Sequence, residues 1–132
     1  MQNARRVEAS PGRPSTSSVA TKAAVRIAGA WGLTTAEAAN LLDVAPRTFS
    51  RMKSGEHAGE LRRDQLLRTS ALVGLYKGLH LYFSDELADR WPRMPNKGEV
   101  FAGKSPIEYM QAGGLPALME TRAYVDAIRG GM

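Results

Sequence analysis

The sequence predicts an all-α fold for this chain of 132 residues. Apolar residues recur at three- and four-residue spacing, and no segment has the sustained apolar–polar alternation of a half-buried strand. Serine or threonine caps, prolines in first turns and closing glycines divide the chain into pieces of helix length. The length suffices for one domain, or for two small modules that share a core.

The first predicted helix follows an N-terminal tail. Residues 1–18 contain two prolines and many small polar residues, so they bury too little apolar surface to offset the entropy of ordering, and we expect a flexible tail. The alanine-rich stretch from Ser18 through Trp31 favours a helix that Gly32 terminates. Its predicted apolar stripe consists of Val19, Ala23, Ile27 and Trp31.

Two short helices are predicted next. Thr34 precedes Glu37 by three residues, which is the spacing of a capping box, and predicts a helix that runs through Leu42. Pro46 suits the first turn of a second short helix, and Ser54–Gly55 suits its end. The sequence therefore predicts two helices separated by a tight turn.

A long helix is expected from about residue 61 to residue 80. Ser84 is expected to cap the helix after it, which leads to Trp91. We expect Trp91 and Phe101 to be core or dimer anchors, because large aromatic side chains usually pack internally. The buried face of the long helix is predicted to contain Leu72, Leu75, Tyr76, Leu79 and Phe83.

The remaining residues are predicted to form a loop and two helices. Prolines and glycines interrupt residues 92–104, which indicates a loop on the surface. Ser105 caps a helix that stops at Gly113–Gly114, and a last helix is expected over about 116–129.

The excess positive charge is concentrated in the N-terminal half. The chain has 18 Lys and Arg against 13 Asp and Glu, a formal net charge of +5. Residues 1–68 hold eleven basic and six acidic residues, whereas residues 69–132 hold seven of each. This distribution favours a polyanionic partner for the first half and a different partner for the second. A basic surface that serves solubility is the alternative.

The two short helices, 35–42 and 46–53, predict a helix-turn-helix. Ala39 is small where the two helices approach, and Phe49 is apolar where the unit buries its inner face. Asp43 occupies the turn, where a left-handed backbone conformation is expected, and aspartate tolerates that conformation better than most residues.

The second short helix carries the residues expected to contact DNA. With Phe49 and Met52 inward, its polar side chains point outward or toward its flanks. Arginine can pair bidentately with a guanine edge, lysine pairs with phosphate, and the helix N-terminus favours an anion. The alternative is a solvated basic face on a hairpin that serves packing. The candidate DNA-binding residues are Arg47, Thr48, Arg51 and Lys53.

The second half carries an ordered series of motifs: Trp91, Pro95-Asn96, Phe101, Gly103, Ser105-Pro106-Ile107-Glu108-Tyr109-Met110, Gly114-Leu115 and the helix from Thr121 to Gly130. This series resembles the C-terminal toxin-binding domain of the Xre/MbcA/ParS antitoxins, with the ParS branch the most similar. The helix-turn-helix resembles the same family. Pro92 departs from the pattern, because the family often has an aliphatic residue after the tryptophan.

The resemblance implies a partner and a division of the chain. Such antitoxins are encoded beside a RES-domain toxin that consumes NAD, by degrading it or by transferring its ADP-ribose to a protein. They bind the toxin, commonly blocking its active-site cleft with the C-terminal region, and many bind their own promoter. The expected regions are a helix-turn-helix at 19–60 and a toxin-binding or dimerisation domain at 61–132. A homodimer on operator DNA is expected, because two half-sites double the phosphate contacts.

The closing helix is amphipathic. Leu118, Val125 and Ile128 can face a core, which leaves charged side chains for solvent or a partner. Given the resemblance, an arginine here is expected to enter a cleft that normally holds a dinucleotide and to pair with an acidic catalytic group. The alternative is a docked helix with solvated charges. The candidate toxin-binding residues are Arg122, Asp126 and Arg129.

The composition argues against several other classes of function. The chain has no cysteine, and neither His57 nor His80 lies in a recognisable motif, so we expect no catalytic residue, no metal and no cofactor. No apolar run reaches the ~18 residues that cross a bilayer, and the lack of cysteine fits the cytoplasm. We therefore predict a non-enzymatic antitoxin. The alternative is a plain helix-turn-helix transcriptional regulator with a C-terminal dimerisation module.

Overall fold

The computed structural model describes residues 15–57 and 59–130, and every regular element in these ranges is helical, as predicted. A 3₁₀ turn (Trp91–Arg93) follows the fifth helix directly. The α-helices are α1 (Thr16–Ala30), α2 (Thr35–Leu42), α3 (Pro46–Ser54), α4 (Arg63–Tyr82), α5 (Asp85–Arg90) and α6 (Pro106–Arg129).

Helix α1 begins earlier than predicted. The Ser15 hydroxyl accepts a hydrogen bond from the backbone N–H of Ser18 at 3.0 Å, so the helix starts at Thr16 and residues 16–18 are not part of a tail. The rest of the predicted tail, residues 1–14, lies outside the described residues.

The predicted apolar stripe of α1 is partly wrong. Ile27 and Trp31 are buried, but Val19 is 52% exposed. Because a helix turns 100° per residue, a strict four-residue spacing rotates by about 40° at each step and by about 120° from Val19 to Trp31. A row with this spacing therefore cannot remain on one face. The buried face of the helix contains Ser17, Thr21, Ala24, Ile27 and Ala28.

Helices α2 and α3 form the predicted helix-turn-helix. The Thr34 hydroxyl accepts from the backbone N–H of Glu37 at 3.0 Å, and the Glu37 carboxylate accepts from the N–H of Thr34 at 2.9 Å. Asp43 adopts the expected left-handed conformation, with φ 58° and ψ 50°. Pro46 is in the first turn of α3, and Gly55 ends the helix with φ 82°.

Helix α4 is the central element of the fold. It packs against α1 and also against α6, so the N-terminal and C-terminal helices share one core. It starts at Arg63 and not at Leu61, because the Gln65 side chain accepts from the backbone N–H of Arg62 at 2.8 Å and fixes the helix start. On its predicted buried face, Leu72, Leu75 and Leu79 are buried, and Tyr76 and Phe83 are partly buried.

The segment between α5 and α6 packs an aromatic cluster into the core. Trp91 stacks on Tyr124 with ring centroids 6.2 Å apart and meets the edge of Phe101 at 5.9 Å. The predicted surface loop therefore begins later than residue 92, because Pro92 is buried within the 3₁₀ turn. Trp91 and Phe101 are both core residues, as expected.

Helix α6 is interrupted at the predicted break. Gly114 has φ 67° and ψ −150°. This conformation lies outside the helical region, and its positive φ favours glycine. The sequence predicted two separate helices, whereas the two halves of α6 continue across this single residue without a loop. None of the described helices combines the length and apolarity that a bilayer crossing requires.

Candidate functional site

Helix α3 presents a basic face to solvent. Phe49 and Met52 anchor the helix in the core with exposed fractions of 1% and 4%. The opposite side carries the predicted DNA-binding residues, of which Thr48 is half-buried and the other three are exposed. No carboxylate in the described ranges forms an ion pair with Arg47, Arg51 or Lys53.

The N-terminus of α3 is open to an anion. Ala45 precedes the helix and provides no side-chain cap, and Pro46 has no N–H. The backbone N–H groups of Arg47 and Thr48 therefore point out of the first turn without a capping side chain. Together with the basic side chains, they give this end of α3 the chemistry of a phosphate contact.

The turn between α2 and α3 is held by the start of α4. Gln65 donates to the Asp43 carbonyl at 2.8 Å, and Arg62 forms an ion pair with the Asp43 carboxylate at 2.8 Å. Arg68 donates to the Leu41 carbonyl at 3.0 Å. These residues fix the orientation of α3, and local sequence patterns did not indicate them because the contacts join residues about 20 or more positions apart.

A second set of polar contacts joins the helix-turn-helix to the C-terminal half. Arg93 donates to the carbonyls of Trp31 at 3.0 Å and Gly32 at 2.7 Å, and pairs with Glu37 at 2.6 Å. The hydrogen bond from Arg93 lowers the pKa of the Glu37 carboxyl. Gln111 donates to the Glu37 carbonyl at 2.8 Å and fastens α6 to α2.

The predicted toxin-binding residues form a row along the part-exposed edge of α6 that borders α4. Asp126 lies between the two arginines, with its carboxylate 3.8 Å from Arg122 and 3.4 Å from Arg129. About two-fifths of each of these side chains is exposed. On the other side of α6, Leu118, Thr121 and Val125 are buried, while Ile128 is partly buried. This end of α6 is thus a fixed helix with a charged outer face.

An apolar surface lies next to this row. Met119 is 55% exposed on α6 and Leu67 is 44% exposed on α4, and both line one shallow groove with Arg122 and Asp126. A surface with exposed apolar side chains beside arginine has the composition of a protein-binding interface. Sequence analysis identified the charged row but missed the contribution of α4.

The two histidines are not brought together. His80 lies between two carboxylates of α5, with its ring nitrogens 2.9 Å from Asp85 and 2.8 Å from Asp89. Burial lowers the pKa of His80, but the hydrogen bonds to Asp85 and Asp89 outweigh burial, so the pKa is raised. Among the described residues, no group of three or more histidine and acidic side chains has a geometry that could hold a metal ion.

Comparison with known proteins identifies both parts of the chain. Residues 10–74 match the antitoxin Xre-like helix-turn-helix domain, and residues 78–131 match the antitoxin Xre/MbcA/ParS C-terminal toxin-binding domain. The chain is also 35% identical over 108 residues to the uncharacterized protein y4oB of Sinorhizobium fredii (strain NBRC 101917 / NGR234), covering 80% of this chain and 81% of that protein.

A helix-turn-helix domain followed by a toxin-binding domain defines the class as an antitoxin of a toxin–antitoxin system. The chain belongs to the Xre/MbcA/ParS antitoxin family. The junction between the two matched segments falls inside α4, which contributes to the core of both.

Proposed function

We propose that this antitoxin neutralises a RES-domain toxin that consumes NAD, as in the ParS branch, by placing the outer face of α6 in the active-site cleft of the toxin. The observation that carries this proposal is the row of Arg122, Asp126 and Arg129 on a helix anchored by fully buried Thr121 and Val125. A rigid support matters, because a side chain that is already positioned loses less entropy on binding.

The chemistry of the row suits an NAD-binding cleft. A guanidinium forms two parallel hydrogen bonds with a carboxylate, so either arginine can pair with an acidic catalytic group of the toxin. Asp126 orients the two arginines, since its carboxylate lies within 4 Å of both. The groove with Met119 and Leu67 adds apolar area to the same contact.

We further propose that the chain represses its own operon through α3. Arg47, Thr48, Arg51 and Lys53 supply base and phosphate contacts, and the uncapped first turn of α3 supplies backbone N–H groups. A homodimer places two copies of α3 on the two half-sites of an operator. The alternative, a plain transcriptional regulator, shares this DNA contact but has no toxin to neutralise.

The test of neutralisation is a growth assay with charge reversal. Arg122→Glu combined with Arg129→Glu places like charge against an acidic cleft, so cells that express the proposed RES-domain toxin should stop growing. Lys22→Glu is the control, because it reverses an exposed charge on α1. Circular dichroism must show that each variant is folded. Full protection by the folded double variant would show that the α6 face does not neutralise the toxin.

A further inference from the structure

Helix α4 has no side chain at the place where Arg122 crosses it. A Cβ atom at Gly74 would collide with the guanidinium of Arg122, whose Nη1 would lie 2.7 Å away. Four residues later on the same face, a Cβ atom at Gly78 would lie 3.1 Å from Cγ1 of Val125. The two glycines therefore allow α6 and its arginine to approach the backbone of α4.

Arg122 is held in this position by two groups. Its Nη1 donates to the carbonyl of Ser70 at 3.3 Å, and its Nε lies 3.8 Å from the Asp126 carboxylate. The side chain is nonetheless 42% exposed. The guanidinium thus lies against the backbone of α4 and remains partly accessible to a partner.

We propose that Gly74 is a positioning residue for toxin binding: it leaves the space in which Arg122 is held beside Asp126 and Arg129. The proposal rests on the proposed function of that row. It places a determinant of toxin recognition in residues 10–74, which match the helix-turn-helix domain, and outside residues 78–131, which match the toxin-binding domain.

The proposal and a purely structural role make opposite predictions for Gly74→Ala. Alanine stabilises the interior of a helix relative to glycine, and the atoms in its way belong to the flexible end of Arg122. Gly74→Ala should therefore fold with a melting temperature no lower than that of the parent. In this variant the guanidinium of Arg122 should nevertheless be displaced, and toxin binding should be weaker.

The matched control is Gly29→Ala. Gly29 is also helical, and a Cβ atom there would meet nothing within 4 Å. This variant has the same change in composition without a collision. It should leave both Arg122 and toxin affinity unchanged.

The experiment measures the side chain first and the partner second. In ¹⁵N NMR spectra of the full chain, the Nε–H signal of Arg122 should change in Gly74→Ala and remain in place in Gly29→Ala. Calorimetric titration with the RES-domain toxin proposed as the partner should show about tenfold weaker binding for Gly74→Ala. In an Arg122→Ala background, Gly74→Ala should cause no further loss, because the two changes act through one side chain.

Each result that would overturn the proposal is distinct. If Arg122→Ala weakens toxin binding and Gly74→Ala does not, Gly74 has no positioning role and the α6 face remains the toxin contact. If Arg122→Ala leaves toxin binding unchanged, this residue is not part of the toxin-binding row and both proposals fail at this position. A lower melting temperature for Gly74→Ala than for the parent would indicate a structural role instead.

Discussion

Arg93 shows how much one side chain contributes to joining the two halves of the molecule. It donates to two main-chain carbonyls at the end of α1 and pairs with Glu37 at the start of α2. These partners lie about 60 positions earlier in the chain, so no local pattern indicated the contact. From the sequence alone, Arg93 could not be distinguished from an arginine that contacts only solvent.

Arg93→Ala should lower the free energy of unfolding by about 1–2 kcal/mol, since it removes charge-assisted hydrogen bonds that are partly screened by solvent. Urea denaturation of the parent and variant measures this difference. Arg90→Ala is the control, because Arg90 is exposed on the preceding turn. Equal losses for the two variants would show that the Arg93 contacts contribute no specific stability.

His80 should make stability depend on pH. Its pKa is raised in the folded state by Asp85 and Asp89, so the protonated ring stabilises the fold. This stabilisation is fully present below the unfolded pKa of about 6.5 and is lost as the pH rises through the folded pKa. Urea denaturation at several pH values from about 6 to 9 should show the decline in the parent and a smaller one in His80→Gln. Identical pH dependence of stability in the parent and in His80→Gln would contradict the proposed stabilisation by protonated His80.

Among the helices, local signals located both ends of α2 and α3 and the start of α6. Two capping boxes, at Thr34 and Ser105, correctly predicted where α2 and α6 begin. Pro46 likewise predicted the start of α3, and Pro106 supported that of α6. Such ends depend on side chains within three or four positions of one another. The buried face of α1 was predicted less well, because a strict four-residue spacing drifts around the helix and because α1 packs against α4, which begins more than thirty positions later.

The aromatic cluster joins the 3₁₀ turn, the segment after it and α6. Trp91→Ala should cost about 3–5 kcal/mol, because the space between Phe101 and Tyr124 would be left unfilled. Thermal unfolding should show a lower melting temperature. Separate binding assays should show weaker binding of both the promoter fragment and the proposed toxin. A variant that melts with the parent would show that the indole contributes little to the core.

Helix α3 should carry the DNA contact independently of α6. Arg47→Ala combined with Arg51→Ala should abolish specific binding to a promoter fragment of the gene that encodes this chain. The slope of log affinity against log salt concentration should also become shallower, by an amount that corresponds to at most about two phosphate contacts. Lys22→Ala with Arg26→Ala removes the same charge from α1 and serves as the control. If both double variants bind the promoter equally well across a salt titration, α3 does not contact DNA.

In the whole molecule, one candidate surface belongs to the basic half of the sequence and the other to the half with no net charge. The basic face of α3 belongs to residues 1–68, which carry the net positive charge, and the α6 row belongs to the neutral remainder. Sequence reasoning predicted both surfaces. It could not predict that α4 supports both, through Gln65 and Arg68 near one end and Gly74 farther along, because helix packing sets these contacts.

The shared core also determines which experiments are informative. Removing residues 120–132 would delete Thr121 and Val125, which have no exposed surface, and so would unfold the protein. Loss of protection after such a truncation would not identify a contact. Substitutions in the part-exposed row of α6 leave Thr121 and Val125 in place and so avoid this problem.

Neutralisation through the α6 face is tested by an in vitro titration of toxin activity. The purified RES-domain toxin that we propose as the partner is incubated with NAD and increasing antitoxin, and the remaining NAD is measured. We predict that the parent and Arg47→Ala/Arg51→Ala inhibit NAD consumption at equal concentrations. Arg122→Glu/Arg129→Glu should require at least about tenfold more protein while still binding the promoter fragment. Equal inhibition by all three proteins would contradict neutralisation through the α6 face.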